Sequence, residues 1–296
     1  MAQERTVAFI GCVAGNMGGA ILHGILDAAF ATESSQSRPV SRFVACTKSA
    51  ASAERLASSF ATDQEPFVHV TSSQDVPVQI MKDADIVVLG FKPFMADDVL
   101  GTKGVRQALA GKLVISLLAG QTPQNLARII REGTDGEIAE PVIMKVIPNM
   151  GAQFRQSMTI IETPEREIPA YMTEVVEWMF KQVGAIKYLP QNQMDLGSVL
   201  VGAALAAMTV PIEGILDGCV AEGLKRPDAM EMVLHGLRGL SAALESGIHP
   251  AALRESISSP RGCTIQALLT LEKAGSRSDY AEAIINGTQH LKKADK

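Results

Sequence analysis

The stretch Thr6–Ile21, TVAFIGCVAGNMGGAI, constrains the fold more than any other part of this 296-residue chain. A short apolar run rich in β-branched residues meets Gly11, Gly15 and Gly18, then passes without a breaker into Ala20-Ile21-Leu22. That order predicts a strand, a glycine turn and a helix start. Glycines let the backbone approach a diphosphate closely, and the free N–H groups and dipole of a helix N-terminus favour its negative charge. The same pattern also serves as a tight strand-to-helix turn without a ligand, so the rest of the chain has to decide between the two.

The length suits two domains. The composition is 47% hydrophobic with only 4% aromatic, which fits an α/β or α protein better than a β-sandwich. A net charge of −5 offers no basic face to nucleic acid. Cys12, Cys46, Cys219 and Cys263 stand far apart with no CxxC pair and no histidine cluster, so no metal site and no disulfide framework is expected. They read as reduced thiols of a cytoplasmic protein. The N-terminus enters a strand without a signal-type apolar core. Leu196–Ile212 is uncharged but spans 17 residues and contains Gly197, Gly202 and Pro211, so a buried or subunit-interface helix is expected there, not a membrane span.

After a helix over about 18–29 and a Ser-rich loop, Arg42–Thr47 reads as the second strand, followed by Lys48, Ser49 and Arg55. In the dinucleotide fold an acid at the end of this strand would bind the ribose 2′-hydroxyl of NAD, whereas basic and hydroxyl groups accommodate a 2′-phosphate. No Asp or Glu stands between Arg42 and Ala53, so NADPH is the expected cofactor, with solvated surface charge as the alternative reading of Lys48 and Arg55. Further strands are expected at Phe67–Thr71, Ala84–Phe91, Leu113–Ala119, Val142–Ile147, Ser157–Thr163 and Ala185–Leu189. Thr122-Pro123 opens a helix through Ile130, and Met172, Val175, Val176, Met179, Phe180 and Val183 share one helical face. Strand and helix alternate to about residue 189, which predicts a Rossmann-like doubly wound sheet over 1–189 with ligand at the carboxyl ends of its strands. From 190 to 296 only helices are expected, at Leu196–Val220, Pro227–Leu244, Pro250–Ile257 and Thr264–Lys273. The first is apolar on all sides, and a partner subunit is the natural place to bury it.

The order of motifs resembles pyrroline-5-carboxylate reductase over nearly the whole chain. The matching pieces are AGNMGGAI at Ala14–Ile21, ADIVVLGFKP at Ala84–Pro93, ISLLAG at Ile115–Gly120, IPN at Ile147–Asn149, IEGILDGCVAEGL at Ile212–Leu224, LESGIHPAALRESISSPRGCTIQAL at Leu244–Leu268, and LEKAG at Leu271–Gly275. The resemblance implies a Rossmann domain, an all-α dimerisation domain, and hydride transfer from a nicotinamide to the carbon of a C=N bond. It implies cofactor contacts from Gly11, Gly15, Asn16, Met17 and Gly18, from Thr47, Lys48 and Ser49, from Phe91, Lys92 and Pro93, and from Ala119, Gly120 and Asn149. It puts a substrate carboxylate on the turn Ser259-Pro260-Arg261-Gly262-Cys263-Thr264, with Ser259, Arg261, Gly262, Cys263 and Thr264 as its contacts.

Four departures from the family pattern bear on chemistry. The glycine loop is two residues longer than Gly-x-Gly-x-Met-Gly. Gly202–Ala207 stands where the family has Gly-Ser-Gly-Pro-Ala-Tyr, so hydroxyl groups are lost. Arg261 replaces a glycine and either pairs with a carboxylate or fills its site. His235 falls where some members carry a threonine near the imine nitrogen, and either donates a proton with Thr264 as its catalytic companion or is a solvated helix residue. The expected function is NADPH-dependent reduction of a cyclic imine, either in proline biosynthesis or on a modified pyrroline in a specialised pathway. The alternative is a reductase-like protein that has lost hydride transfer and acts as a non-redox catalyst or scaffold.

Overall fold

The computed structural model describes residues 5–11, 16–31, 39–60, 64, 67–132 and 138–294. The chain divides into two compact units: residues up to Gly202 with the last residues from His290, and Ala203–Gln289. The first unit holds β1 (Thr6–Gly11), α1 (Asn16–Ala31), β2 (Arg42–Thr47), α2 (Ala50–Ala57), β3 (Val68–Ser72), α3 (Val78–Asp83), β4 (Ile86–Gly90), α4 (Ala96–Leu100) and α5 (Val105–Leu109). It continues with β5 (Leu113–Ser116), α6 (Pro123–Glu132), β6 (Val142–Ile147), β7 (Ser157–Glu162), α7 (Ala170–Lys181), β8 (Gly184–Leu189) and α8 (Met194–Val201).

The strands form one sheet in the order β3-β2-β1-β4-β5-β6-β7-β8. Pairs from β3 through β6 are parallel, β7 runs antiparallel to β6, and β8 is parallel to β7. The reversal has a covalent cause. Only Pro148–Gln156 joins β6 to β7, too short for the crossover of a dozen or so residues that a parallel pair requires. The apolar runs of the central strands follow from burial on both faces. Val7, Phe9, Ile86 and Val88 pack with α1 and α7, whereas Ala8, Ile10, Val87 and Leu89 pack with Met81, Leu100, Leu109 and Leu126 on the opposite side. The helical face expected at Met172, Val175, Val176, Met179 and Phe180 is buried in the first of these layers, with Val183. Thr122 caps α6 by accepting from the Asn125 N–H at 3.1 Å, with Pro123 as the first helical residue.

The second unit is helical: α9 (Ala203–Ala221), α10 (Arg226–Glu245), α11 (Pro250–Ser256), α12 (Cys263–Lys273) and most of α13 (Ser276–Ala294). Two sequence expectations are corrected. The helix expected over Leu196–Val220 is two helices, because Gly202 takes φ −106° and ψ −80° and ends the first of them. A long helix at Ser276–Ala294 was not anticipated; its polar character masks its period. Leu216 and Ala229 are the buried hydrophobics of this unit among the described residues, while Leu205, Met208, Val210, Ile215, Met232 and Leu234 lie exposed in the single chain. A bundle with so little core of its own leaves its apolar faces for another surface.

Candidate functional site

The sheet order reverses direction between β1 and β4, the place where open α/β sheets bind ligands at the strands' carboxyl ends. In register Ile10 lies beside Leu89 and Gly11 beside Gly90. Gly11 has φ +103°, and a Cβ there would sit 2.7 Å from the Phe91 nitrogen and 2.8 Å from the Phe91 Cβ. The two chain segments leaving β1 and β4 can pass each other only because that side chain is missing. Gly15 falls outside the described residues, as do Cys12, Val13 and Ala14 with the extra length of the loop. Asn16, Met17 and Gly18 open α1, whose first turn carries no acidic residue to compete with an anion at its free N–H groups.

At the end of β2, Thr47 is buried and its hydroxyl donates to the Ser49 carbonyl at 3.0 Å. Ser49 accepts from the Ser52 N–H at 3.2 Å and so caps α2. Both hydroxyls are occupied in shaping the turn, and the turn presents Lys48 as an exposed cation. Gly11, Thr47, Lys48 and Phe91 come together in one cleft of about 110 Å3, closed by Val76 and Val99. Cys46 lines it too; burial pushes its thiol pKa up and keeps it protonated. Sequence reasoning missed Ser73, Gln74 and Asp75, which line the same cleft from the loop after β3. Their only signal was position, since residues that follow neighbouring parallel strands emerge on one edge.

The other expected cofactor residues follow β4, β5 and β6 on that edge without lining the cleft. Lys92 is exposed and Pro93 opens a short 3-10 turn, Pro93–Met95. Ala119 and Gly120 follow β5. Asn149 is buried; its Oδ1 accepts from the Gly151 N–H at 2.9 Å and its own N–H donates to Ser157 Oγ at 3.2 Å, which shapes the turn after β6.

In the helical unit, the Gly262 N–H donates to the Ser259 carbonyl at 3.0 Å, closing a turn with Pro260 and Arg261 at its centre. Arg261 is exposed with φ +62°, a left-handed conformation that glycine adopts freely and arginine does not. Gly262 heads α12 without a side-chain cap, and no acid stands in the first turn, so the amides of Cys263 and Thr264 begin a helix suited to an anion. Cys263 is exposed and Thr264 half-buried, and Ser259 and Pro260 are exposed like Arg261 in the single chain. His235 is exposed on α10.

Comparison with known proteins gives these two regions a common origin. A family model described as pyrroline-5-carboxylate reductase dimerisation matches residues 191–294, and one described as NADP oxidoreductase coenzyme F420-dependent matches residues 6–120. A pyrroline-5-carboxylate reductase of Lophium arboricola is 34% identical over 97% of this chain and 92% of its own length. The chain belongs to the pyrroline-5-carboxylate reductase family. A Neurospora crassa pyrroline-5-carboxylate reductase is likewise 34% identical over 97% of the chain and 92% of its own. The same fold is seen in a Plasmodium falciparum pyrroline carboxylate reductase crystallised with NADP, at a TM-score of 0.78 and 20% identity with all of both chains covered.

Within the pyrroline-5-carboxylate reductase family, the oxidoreductase match runs from β1 to Gly120 and so takes in the strands that build the cleft. The dimerisation match takes in the helices whose apolar faces are exposed. The cleft offers a dinucleotide a close glycine crossing, a helix start with no acid in its first turn, apolar walls and one exposed cation at the end of β2, with Asp75 as the acid in the lining.

Proposed function

We propose that this chain reduces a cyclic imine of the pyrroline-carboxylate class with NADPH. The observation that carries the reading is the meeting of Gly11, Phe91, Thr47 and Lys48 in one cleft at the switch point of a pyrroline-5-carboxylate reductase sheet. The nicotinamide, when bound, supplies a hydride to the carbon of the C=N bond, and the nitrogen ends as an amine. An iminium is already electrophilic, so the protein's work is largely to hold and orient. The start of α1, at Asn16, Met17 and Gly18, would hold the diphosphate on its N–H groups. Lys48, which directly follows β2, would favour the 2′-phosphate of NADPH over the bare ribose of NADH, against the opposing charge of Asp75 in the same cleft lining. The amides at the start of α12 hold the substrate carboxylate, with Arg261 and Ser259 beside them. His235 and Thr264 are the candidates for handing the nitrogen its proton. The chain acts as a homo-oligomer through its C-terminal helices, in the cytoplasm.

Titration with NADPH and NADH followed by fluorescence tests the cofactor. Consumption of the reduced nicotinamide with 1-pyrroline-5-carboxylate and with cyclic imines lacking a carboxylate tests the substrate. The expected result is tighter NADPH binding, narrowed by about tenfold in Lys48→Glu through loss of a charge-assisted contact. Binding of NADH alone would overturn the choice of NADPH, and absence of binding by either nucleotide would overturn the reductase reading in favour of a non-redox role.

A further inference from the structure

A second site lies away from the cofactor cleft and shares none of its lining residues. On the face of the sheet that carries α6, β6 is left open between α6 and α8, and the opening is a groove of about 430 Å3. That volume lies in the usual range of small-molecule sites. Its floor is Lys145 of β6 and Glu162 of β7. They are opposed by the antiparallel register, one step beyond the pair Val146–Ile161. Pro123 and Ala127 of α6, Ile143 and Ile168 supply apolar wall, and Arg166 stands at the margin. One end is tied by Gln191 Nε2 donating to Gln124 Oε1 at 3.0 Å.

The charges on this floor are hard to explain as fold. Lys145 is 2% exposed and Glu162 5% exposed, and they form no ion pair with each other among the described residues. Glu162 Oε2 has no hydrogen-bond partner among the described residues. Burial pushes its carboxyl pKa up and Lys145 pulls it back, with Glu165 and Asp195 adding to the rise. A buried carboxyl with an unsatisfied oxygen is costly, and replacing a buried pair of opposite charges with apolar residues is often neutral or stabilising. Neighbouring positions on the same face, Ile147 and Ile160, are ordinary core residues. An anion alone would satisfy Lys145 and face Glu162, Glu165 and Glu140. A cation alone would satisfy Glu162 and face Lys145 and Arg166.

We propose that the groove binds a small zwitterion, its ammonium on Glu162, its carboxylate on Lys145 and an aliphatic group against Pro123, Ala127, Ile143 and Ile168. A free aliphatic α-amino acid has that chemistry. The inference is independent of the imine-reductase reading, because its test reads binding and not turnover.

L-leucine is the probe, titrated calorimetrically into the full-length protein, beside 4-methylpentanoate, which lacks the amine, and 3-methylbutylamine, which lacks the carboxylate. Saturable leucine binding is expected, with each half-ligand about tenfold weaker or worse through loss of a charge-assisted contact. Glu162→Gln, which keeps the shape and removes the charge, and Lys145→Met each weaken leucine binding by about tenfold or more. Circular dichroism checks each variant's fold, and the half-ligand comparison on the unmodified protein decides if neither folds. No saturable leucine binding, half-ligands that bind as well as leucine, undiminished binding in a folded Glu162→Gln, or displacement of leucine by NADPH would each overturn the proposal.

Discussion

Gly11→Ala isolates the one steric condition on which the cofactor cleft is built. The added Cβ would lie 2.7 Å from the Phe91 nitrogen, 2.8 Å from its Cβ and 2.9 Å from its Cα, all inside normal contact and two of them backbone atoms that cannot rotate away. Moving them means parting the exits of β1 and β4, whose partners Gly11 and Gly90 are in register. Overpacking of this kind costs about 1–3 kcal/mol. An L-residue held at φ +103° adds about 1–3 kcal/mol of backbone strain. The expected loss is therefore about 2–6 kcal/mol, a large part of the 5–15 kcal/mol that holds a typical domain. The control is Gly90→Ala one strand away, where the new Cβ meets only the Ile10 carbonyl at 3.7 Å among the described residues and the change stays within about 1 kcal/mol. Urea denaturation followed by circular dichroism, with NADPH titration of each folded variant, measures both effects. A Gly11→Ala loss under about 1 kcal/mol, or one equal to that of Gly90→Ala, would refute the close-crossing argument.

Arg261→Gly removes a side chain from a left-handed position, so it leaves stability within about 1 kcal/mol of wild type or above it. In the same variant, faster turnover of carboxylated pyrrolines marks Arg261 as an obstruction, and slower turnover marks it as a ligand. His23 is hydrogen-bonded to Ser59 at 2.9 Å and stacked on Phe60 at 4.4 Å; burial lowers its pKa below 6.5, and Asp27 only partly offsets this. A depressed pKa in a base means that the stabilisation is present above pH 6.5 and is lost as pH falls through the lowered value, so His23→Gln flattens that acid limb in thermal melts. Val210→Asp puts a charge on a residue 66% exposed in the single chain, on the helix that the dimerisation match covers. It is expected to weaken self-association by about 2 kcal/mol or more while leaving the monomer's helical content intact, read by light scattering and circular dichroism.

Local patterns carried a large share of the fold. Arg42–Thr47 and Val142–Ile147 are strands at the residues the sequence marks, because their β-branched runs end at polar or proline breakers. The helical face of Met172–Val183 and the Thr122-Pro123 start were legible for the same reason: period and capping chemistry act over a few neighbours. The helices α3, α4 and α5 were not, since five or six residues make too few turns for a period to appear. At the cleft, Gly11, Thr47, Lys48 and Phe91 were legible as motif residues, whereas Ser73, Gln74 and Asp75 joined them only through the pairing of β3 with β2.

Local sequence set most of the strands, the helices with a clear apolar period, and the glycine-turn order that makes a dinucleotide fold. These depend on steric preference and solvation of residues close together in the chain. Tertiary structure alone decided the passing of Gly11 against Phe91 some eighty residues away and the opposed Lys145 and Glu162 under an open groove. Each depends on which strand lies beside which, and that is set by the packing of the whole sheet, where a contact between distant residues has no counterpart in the local pattern of either.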